Sequence, residues 1–166
     1  MPHPTNLSIA FAAESEVGLI FDFISQLAEY EKLSQEVSAT EASLREALFG
    51  ARPYAECLIA RLDGAPAGFA LFFHNFSTFK GKPGIYLEDL FVNPALRGNG
   101  VGKALLSRLG EIARDRGCGR LEWSVLDWNT PAMEFYKRLG ARPMEDWTVF
   151  RMTEDVIGRL ADLGSG

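Results

Sequence analysis

The chain has 166 residues, 47% of them hydrophobic and 23% charged, which is the make-up of one folded globular domain rather than a disordered segment. Seventeen Lys and Arg against 22 Asp and Glu leave a net charge of -5, which excludes a general nucleic-acid binder, since that role needs a basic face to replace phosphate counterions. The imbalance is local: residues 1–56 hold nine acids and three bases, whereas residues 57–166 hold 13 acids and 14 bases.

Cys57 and Cys118 are the two cysteines, and neither has a partner at the spacing of a zinc knuckle or a CxxC redox pair. Both read as reduced thiols, and no metal is implied. The first residues carry no basic segment, and the apolar run Ile9–Ala13 is shorter than the ~7–15 residues of a secretory core. Gly68–Phe73 stops at His74, far short of the ~20 apolar residues that cross a membrane. A cytoplasmic protein without membrane partners is the expectation.

In chain order, Leu7–Ala12 reads as a strand, and Ser15 between Glu14 and Glu16 marks a helix start. Val17, Ile20, Phe21, Ile24, Leu27 and Ala28 recur at helical spacing, with Asp22, Glu29 and Glu31 off that face. Thr40 opens a shorter helix that stops near Gly50. From Glu56 the pattern becomes strand-like: CLIARL, the hairpin signal Asp63-Gly64, then AGFALFF. Lys80–Gly84 is a loop and Ile85–Val92 the next strand, ended by Asn93-Pro94. A helix follows Gly102, with Val101, Ala104, Leu105, Leu109, Ile112 and Ala113 on one side and Gly117 at its end. Leu121–Leu126 reads as a strand, Pro131–Leu139 as a helix ended by Gly140, and Trp147–Met152 as a closing strand. No repeat or linker divides residues 1–166, so one domain is expected.

Between strand and helix lies Arg97-Gly-Asn-Gly-Val-Gly-Lys103. Such a turn points free N–H groups and the positive end of a helix dipole at one spot, where a phosphate or pyrophosphate fits, and Arg97 and Lys103 add charge. A Cβ at Gly98, Gly100 or Gly102 would keep the backbone away from a ligand. The P-loop is excluded by Arg97 and Ala104, which stand where it needs Gly and Ser or Thr. The dinucleotide fingerprint is excluded because the glycines are spaced GxGxG. What fits is Arg97-x-x-Gly100-x-Gly102, with a ligand-free glycine turn as the bland reading.

That segment resembles the acetyl-CoA pyrophosphate loop of the GNAT superfamily of N-acetyltransferases. With it go Leu27-Ala-Glu-Tyr-Glu31, Tyr86-Leu-Glu-Asp-Leu-Phe-Val92, Val125-Leu-Asp-Trp-Asn129, Phe135-Tyr136-Lys137, Gly140-Ala141 and Trp147. Together they are most similar to the diamine and polyamine acetyltransferases, including the thialysine-acetylating branch. The resemblance implies an α/β fold with a mixed central sheet flanked by helices, an acetyl-CoA-binding core over about residues 85–140, and a homodimer using the first helices and the last strand. It also implies CoA contacts from Leu90, Phe91, Val92, Arg97, Gly98, Asn99, Gly100, Val101, Gly102, Lys103, Asn129 and Tyr136.

Acetyl transfer to an amine needs a neutral nitrogen, and an alkylammonium of pKa near ~10.4 is only about one part in a thousand neutral at pH 7. The resemblance assigns proton removal to Glu88, directly or through water; an exposed strand acid is the alternative. Asp89 points to the opposite face in a regular strand, so the two share a site only if a bulge interrupts the alternation. Such a bulge, implied by the resemblance, would free an N–H near Leu90 or Phe91 for the thioester oxygen. Tyr136 matches the family's general acid, or is a helix aromatic beside Phe135. Asn129 caps the next helix, contacts CoA, or does both.

Tyr30, Glu31 and Trp147 match the family's acceptor-binding residues and suit a di- or polycation through ion pairing and cation–π contact, the alternative being a solvated acidic face. The short Asp63-Gly64 hairpin departs from the eukaryotic polyamine enzymes, which carry an insertion there. The expected activity is direct attack of a small cationic amine on acetyl-CoA in a ternary complex. Two rivals are an acetyltransferase for an aminoglycoside, amino acid or protein N-terminus, and a non-catalytic acyl-CoA sensor.

Overall fold

The computed structural model describes residues 6–165. They form two compact units divided between Leu126 and Asp127.

The first unit is built on a five-stranded mixed sheet in sequential order, β1 (Leu7–Phe11), β2 (Glu56–Leu62), β3 (Ala65–Ser77), β4 (Lys82–Val92) and β5 (Leu121–Trp123). The first three pairings are antiparallel and the last is parallel. Asp63 and Gly64 take positive φ (51° and 84°), the mirror-image turn whose twist suits a two-residue hairpin. β3 and β4 are longer than their apolar cores, extending as a paired ribbon to Ser77 and Lys82.

Period-two alternation gives each strand two apolar faces, and each is covered by helix. Cys57, Ile59, Phe69, Leu71 and Phe91 line one face and pack with Ile20 and Phe23 of α1 (Val17–Tyr30) and Leu48 of α2 (Glu41–Phe49). Phe23 stacks on Phe69 with centroids 5.4 Å apart. The helical stripe therefore runs through Val17, Ile20 and Phe23, and Phe21, which spacing also favoured, is only half-buried. Thr40 caps α2 as expected: its hydroxyl accepts from the Ser43 N–H at 3.1 Å, and the Ser43 hydroxyl accepts from the Thr40 N–H at 2.9 Å.

The opposite face carries Leu58, Ala70, Phe72, Ile85 and Leu87 and is covered by α3 (Val101–Asp115), whose Val101, Leu105, Leu109 and Ile112 are buried at i, i+4, i+8 and i+11. Just past its last turn, Arg116 grips the Glu56 carboxylate with two bonds of 2.6 and 2.9 Å and lies over the Phe72 ring. The same guanidinium is 2.9 Å from His74 Nε2, whose Nδ1 is 2.9 Å from the Gly84 carbonyl. Because arginine only donates, Nε2 accepts and Nδ1 donates, so one tautomer satisfies both contacts. This cluster ties the end of α3 to β2, β3 and β4, and the Arg116 bonds hold the Glu56 carboxyl below its usual range.

The second unit has α4 (Thr130–Arg138) and α5 (Glu154–Asp162). Two strand expectations are corrected here. β5 ends at Trp123 rather than Leu126, and Trp147–Met152 forms no strand, because no described strand pairs with it to take its ladder hydrogen bonds. The segment's side chains are exposed, Phe150 at 92% and Val149 at 81%. α5 carries no signal that the sequence reading used.

Replacing Phe69, fully buried and stacked on Phe23, with Ala should destabilise the protein by about 3–5 kcal/mol in denaturant unfolding, whereas Phe79→Ala at the exposed ribbon tip should change it by less than about 0.5 kcal/mol.

Candidate active site

β4 runs beside β3 for its whole length but beside β5 only from Ile85 to Leu87. From Glu88 to Val92 its other edge has no strand partner among the described residues, because β5 ends at Trp123. At the same point the β3–β4 register slips: Phe72 pairs with Leu87, Leu71 with Asp89, and Glu88 is the extra residue. The bulge on which a shared Glu88–Asp89 site depends is therefore present. Leu87 and Asp89 now face opposite sides of the sheet, and Asp89 joins Leu71 and Phe91 on the α1 side. Tyr86, paired with Phe73 on that side, also joins it. Its hydroxyl is 2.8 Å from Ser124.

Glu31, at the end of α1, and Glu88 both lie close enough to act on Asp89. Burial first, then the charges of Glu88 and Glu31, push the Asp89 carboxyl up to about 7, and burial also raises Glu31. Next to Glu31, the Tyr30 ring carries the Arg97 guanidinium 4.9 Å from its centroid. The structure thus brings Tyr30, Glu31, Glu88, Asp89 and Arg97 together, linking the end of the first helix to the glycine turn.

That turn is shaped by short-range bonds. Asn93 accepts from the Ala95 N–H at 3.0 Å, and Asn99 donates to the Leu96 carbonyl at 2.9 Å. Gly98 and Gly100 take φ of +85° and +77°, and Gly100 is the α3 N-cap, which offers no side chain to the first turn. The N–H groups from Gly98 to Lys103 have no acceptor among the described residues. An uncapped fifteen-residue helix, preceded by a turn of positive φ and flanked by Arg97 and Lys103, fits the pyrophosphate of a CoA donor. A Cβ built on Gly98 or Gly100 meets nothing within 4 Å, so within the protein these glycines answer to backbone conformation rather than crowding.

Asn129, Tyr136 and Trp147 belong to the second unit. Asn129 does cap α4, its side chain accepting from the Ala132 N–H at 3.4 Å, with Pro131 in the first turn. Tyr136 packs against Phe135, centroids 5.6 Å apart. Trp147 is 77% exposed in the segment without regular structure.

A bulged strand that carries two carboxyls, next to a glycine turn of positive φ that leads into an uncapped helix, suits a site that takes an anionic group on one side and a cationic one on the other. The model of the acetyltransferase (GNAT) family matches residues 23–141, and the chain belongs to that family. It is 41% identical over 161 residues to the thialysine N-epsilon-acetyltransferase of Bos taurus, covering 90% of this chain and 94% of that one. It is 30% identical to an L-ornithine N5-acetyltransferase of Arabidopsis thaliana over 93% and 88% of the two chains. Among solved structures, an integron cassette protein of V. cholerae superposes with a TM-score of 0.77 at 27% identity, covering 93% of this chain and 97% of that one. The protein is thus an acetyl-transferring enzyme acting on amines. Among the described residues, no His, Cys, Asp and Glu group could hold a metal, and no helix is long and apolar enough to cross a membrane.

Because folding raises the Asp89 pKa above the unfolded value near ~3.9, the native state keeps a proton that the unfolded chain has lost, and stability falls as pH rises from about 4 through 7. Asp89→Asn removes that penalty. The variant should be more stable than the parent by up to about 4 kcal/mol at pH 8 and about equal to it at pH 4, as read from urea unfolding at the two pH values.

Proposed function

We propose that the enzyme transfers acetyl from acetyl-CoA to a primary amine of a small cationic acceptor, a diamine, polyamine or lysine analogue, by direct attack in a ternary complex. The observation that carries the reading is the bulge at Glu88, which gathers Glu88, Asp89 and Glu31 beside the Tyr30–Arg97 contact. Three carboxyls with no ion pair among the described residues suit an acceptor with more than one ammonium group. The thialysine and ornithine enzymes among its relatives, each named for a substrate with a side-chain amine, support an acceptor of this kind.

In this reading the donor supplies a thioester carbonyl already activated for attack. The α3 N-terminus, Gly98–Lys103 and Arg97 hold its pyrophosphate, and Asn129 contacts its arm. The open edge of β4 offers the outward N–H groups of Leu90 and Val92 to the pantetheine and to the developing oxyanion, while the N–H of Phe91, in register with that of Asn93 bonded to Ala67, faces β3. Glu31, Asp89, Tyr30 and Trp147 hold the ammonium groups, Glu88 takes the proton from the attacking nitrogen directly or through water, and Tyr136 protonates the departing thiolate. Residues 1–166 serve as a single N-acetyltransferase domain. The exposed apolar row of Trp147, Val149, Phe150 and Met152 supports a homodimer in which a second copy covers the last segment.

An amine panel with thiol release as readout tests the acceptor. Turnover of ornithine, thialysine or short diamines, with none of aminoglycosides or peptide N-termini, is expected; the reverse pattern overturns the reading, and acetyl-CoA binding without turnover of any amine favours the sensor. In the same assay Tyr136→Phe should lower kcat by about 100-fold or more while leaving KM for the amine near its original value.

A further inference from the structure

Asp89 stands in the middle of a core strand, on the face lined by Leu71, Phe91 and Phe23. Neither a hydrogen bond nor an ion pair reaches it from the described residues, yet its oxygens are not sealed from solvent. Around it, the neighbouring charges are of its own sign. Glu88 follows from its own strand and Glu31 from the end of α1. On β2, across Leu71, lies Cys57, whose thiol is pushed up to about 12 by burial and then by Asp89 and Glu16. The cation of the adjoining turn, Arg97, sits over the Tyr30 ring and makes no ion pair with Asp89 among the described residues. A half-buried carboxyl with acid neighbours and no cation retains a proton far above the usual carboxylate range.

We infer that Asp89 is a proton-exchange point for the acceptor: an ammonium group entering the site displaces the proton that Asp89 carries in the free enzyme, and the proton leaves to solvent. The inference rests on the cationic-acceptor reading above and adds to it a rule of exchange. One positive charge enters, one leaves as H⁺, and the site's net charge is preserved. Without an acceptor, a proton relieves the repulsion among Glu31, Glu88 and Asp89. With one, the ammonium does so, and Asp89 becomes the acceptor of a charge-assisted hydrogen bond. The direction of the pH effect follows. Below pH 7 the proton competes with the acceptor, so apparent affinity falls toward acid by up to about tenfold per pH unit; above about pH 8 Asp89 is already ionised and no exchange occurs.

Calorimetric titration of the CoA-loaded protein with cadaverine and with L-ornithine, in phosphate and in imidazole buffers, reads the exchange directly. At pH 6 the difference between buffers should correspond to about 0.9 proton released per acceptor bound, and at pH 8.5 to nearly none. Asp89→Asn should bind with no buffer-dependent heat at either pH. Should that variant not fold, a carboxyl-carbon NMR titration of the unaltered protein gives the same answer: the Asp89 midpoint, near 7 when free, should fall on saturation with cadaverine. Binding without buffer-dependent heat, or an Asp89 midpoint unmoved by the acceptor, overturns the exchange while leaving the acceptor class standing. No binding of either amine at any pH overturns both.

Discussion

β4 is held on one side by ten residues of β3 and on the other by only three residues of β5. A strand that runs on past the end of its parallel neighbour leaves backbone groups on that edge without a ladder partner, a costly arrangement unless something else bonds them. The extra residue at Glu88 falls at that point. It shifts the register so that Asp89 and Phe91 fall on the face of Leu71 and Phe69, where the α1-side core continues. The positions of Glu88, Asp89 and the open edge all follow from this one break in the ladder, and α3 begins nine residues after Val92, with its N-terminus carrying the glycine turn.

Distance along the chain decided which features were legible in the sequence. The turn from Arg97 to Gly102, the α3 stripe and the Thr40 cap are written within a few residues, and each forms as its local chemistry dictates. The Arg116–Glu56 grip joins residues sixty apart, and the Arg97–Tyr30 contact joins a turn to the end of the first helix, so no spacing rule announces either. Phe21 and Phe23 fit competing stripes, and only the Phe69 ring on the sheet chooses between them. The bulge sits between these cases. Alternation alone puts Glu88 and Asp89 on opposite faces, and the register slip that changes this is a property of two strands, not one.

Trp147–Met152 teaches the converse. Its residues have every local preference for a strand, but a strand exists only when a second one supplies its hydrogen bonds, and among the described residues none does. Local propensity there describes what the segment is able to pair with rather than what it has paired with. The charge pattern is similar in kind. A net -5 says little, whereas an acidic first third and a run from Arg97 to Arg120 with six bases and two acids separate the ground for a cationic acceptor from that for an anionic donor.

The glycine turn has a last consequence. At Gly98 and Gly100 a side chain would have room, since a Cβ there meets nothing within 4 Å, yet φ of +85° and +77° is the mirror image of what an L-residue prefers. The restriction at these two positions is therefore one of handedness and not of volume. A D-alanine at either place would suit the backbone where its L-enantiomer strains it, and among the coded residues the achiral one meets this handedness at the least cost.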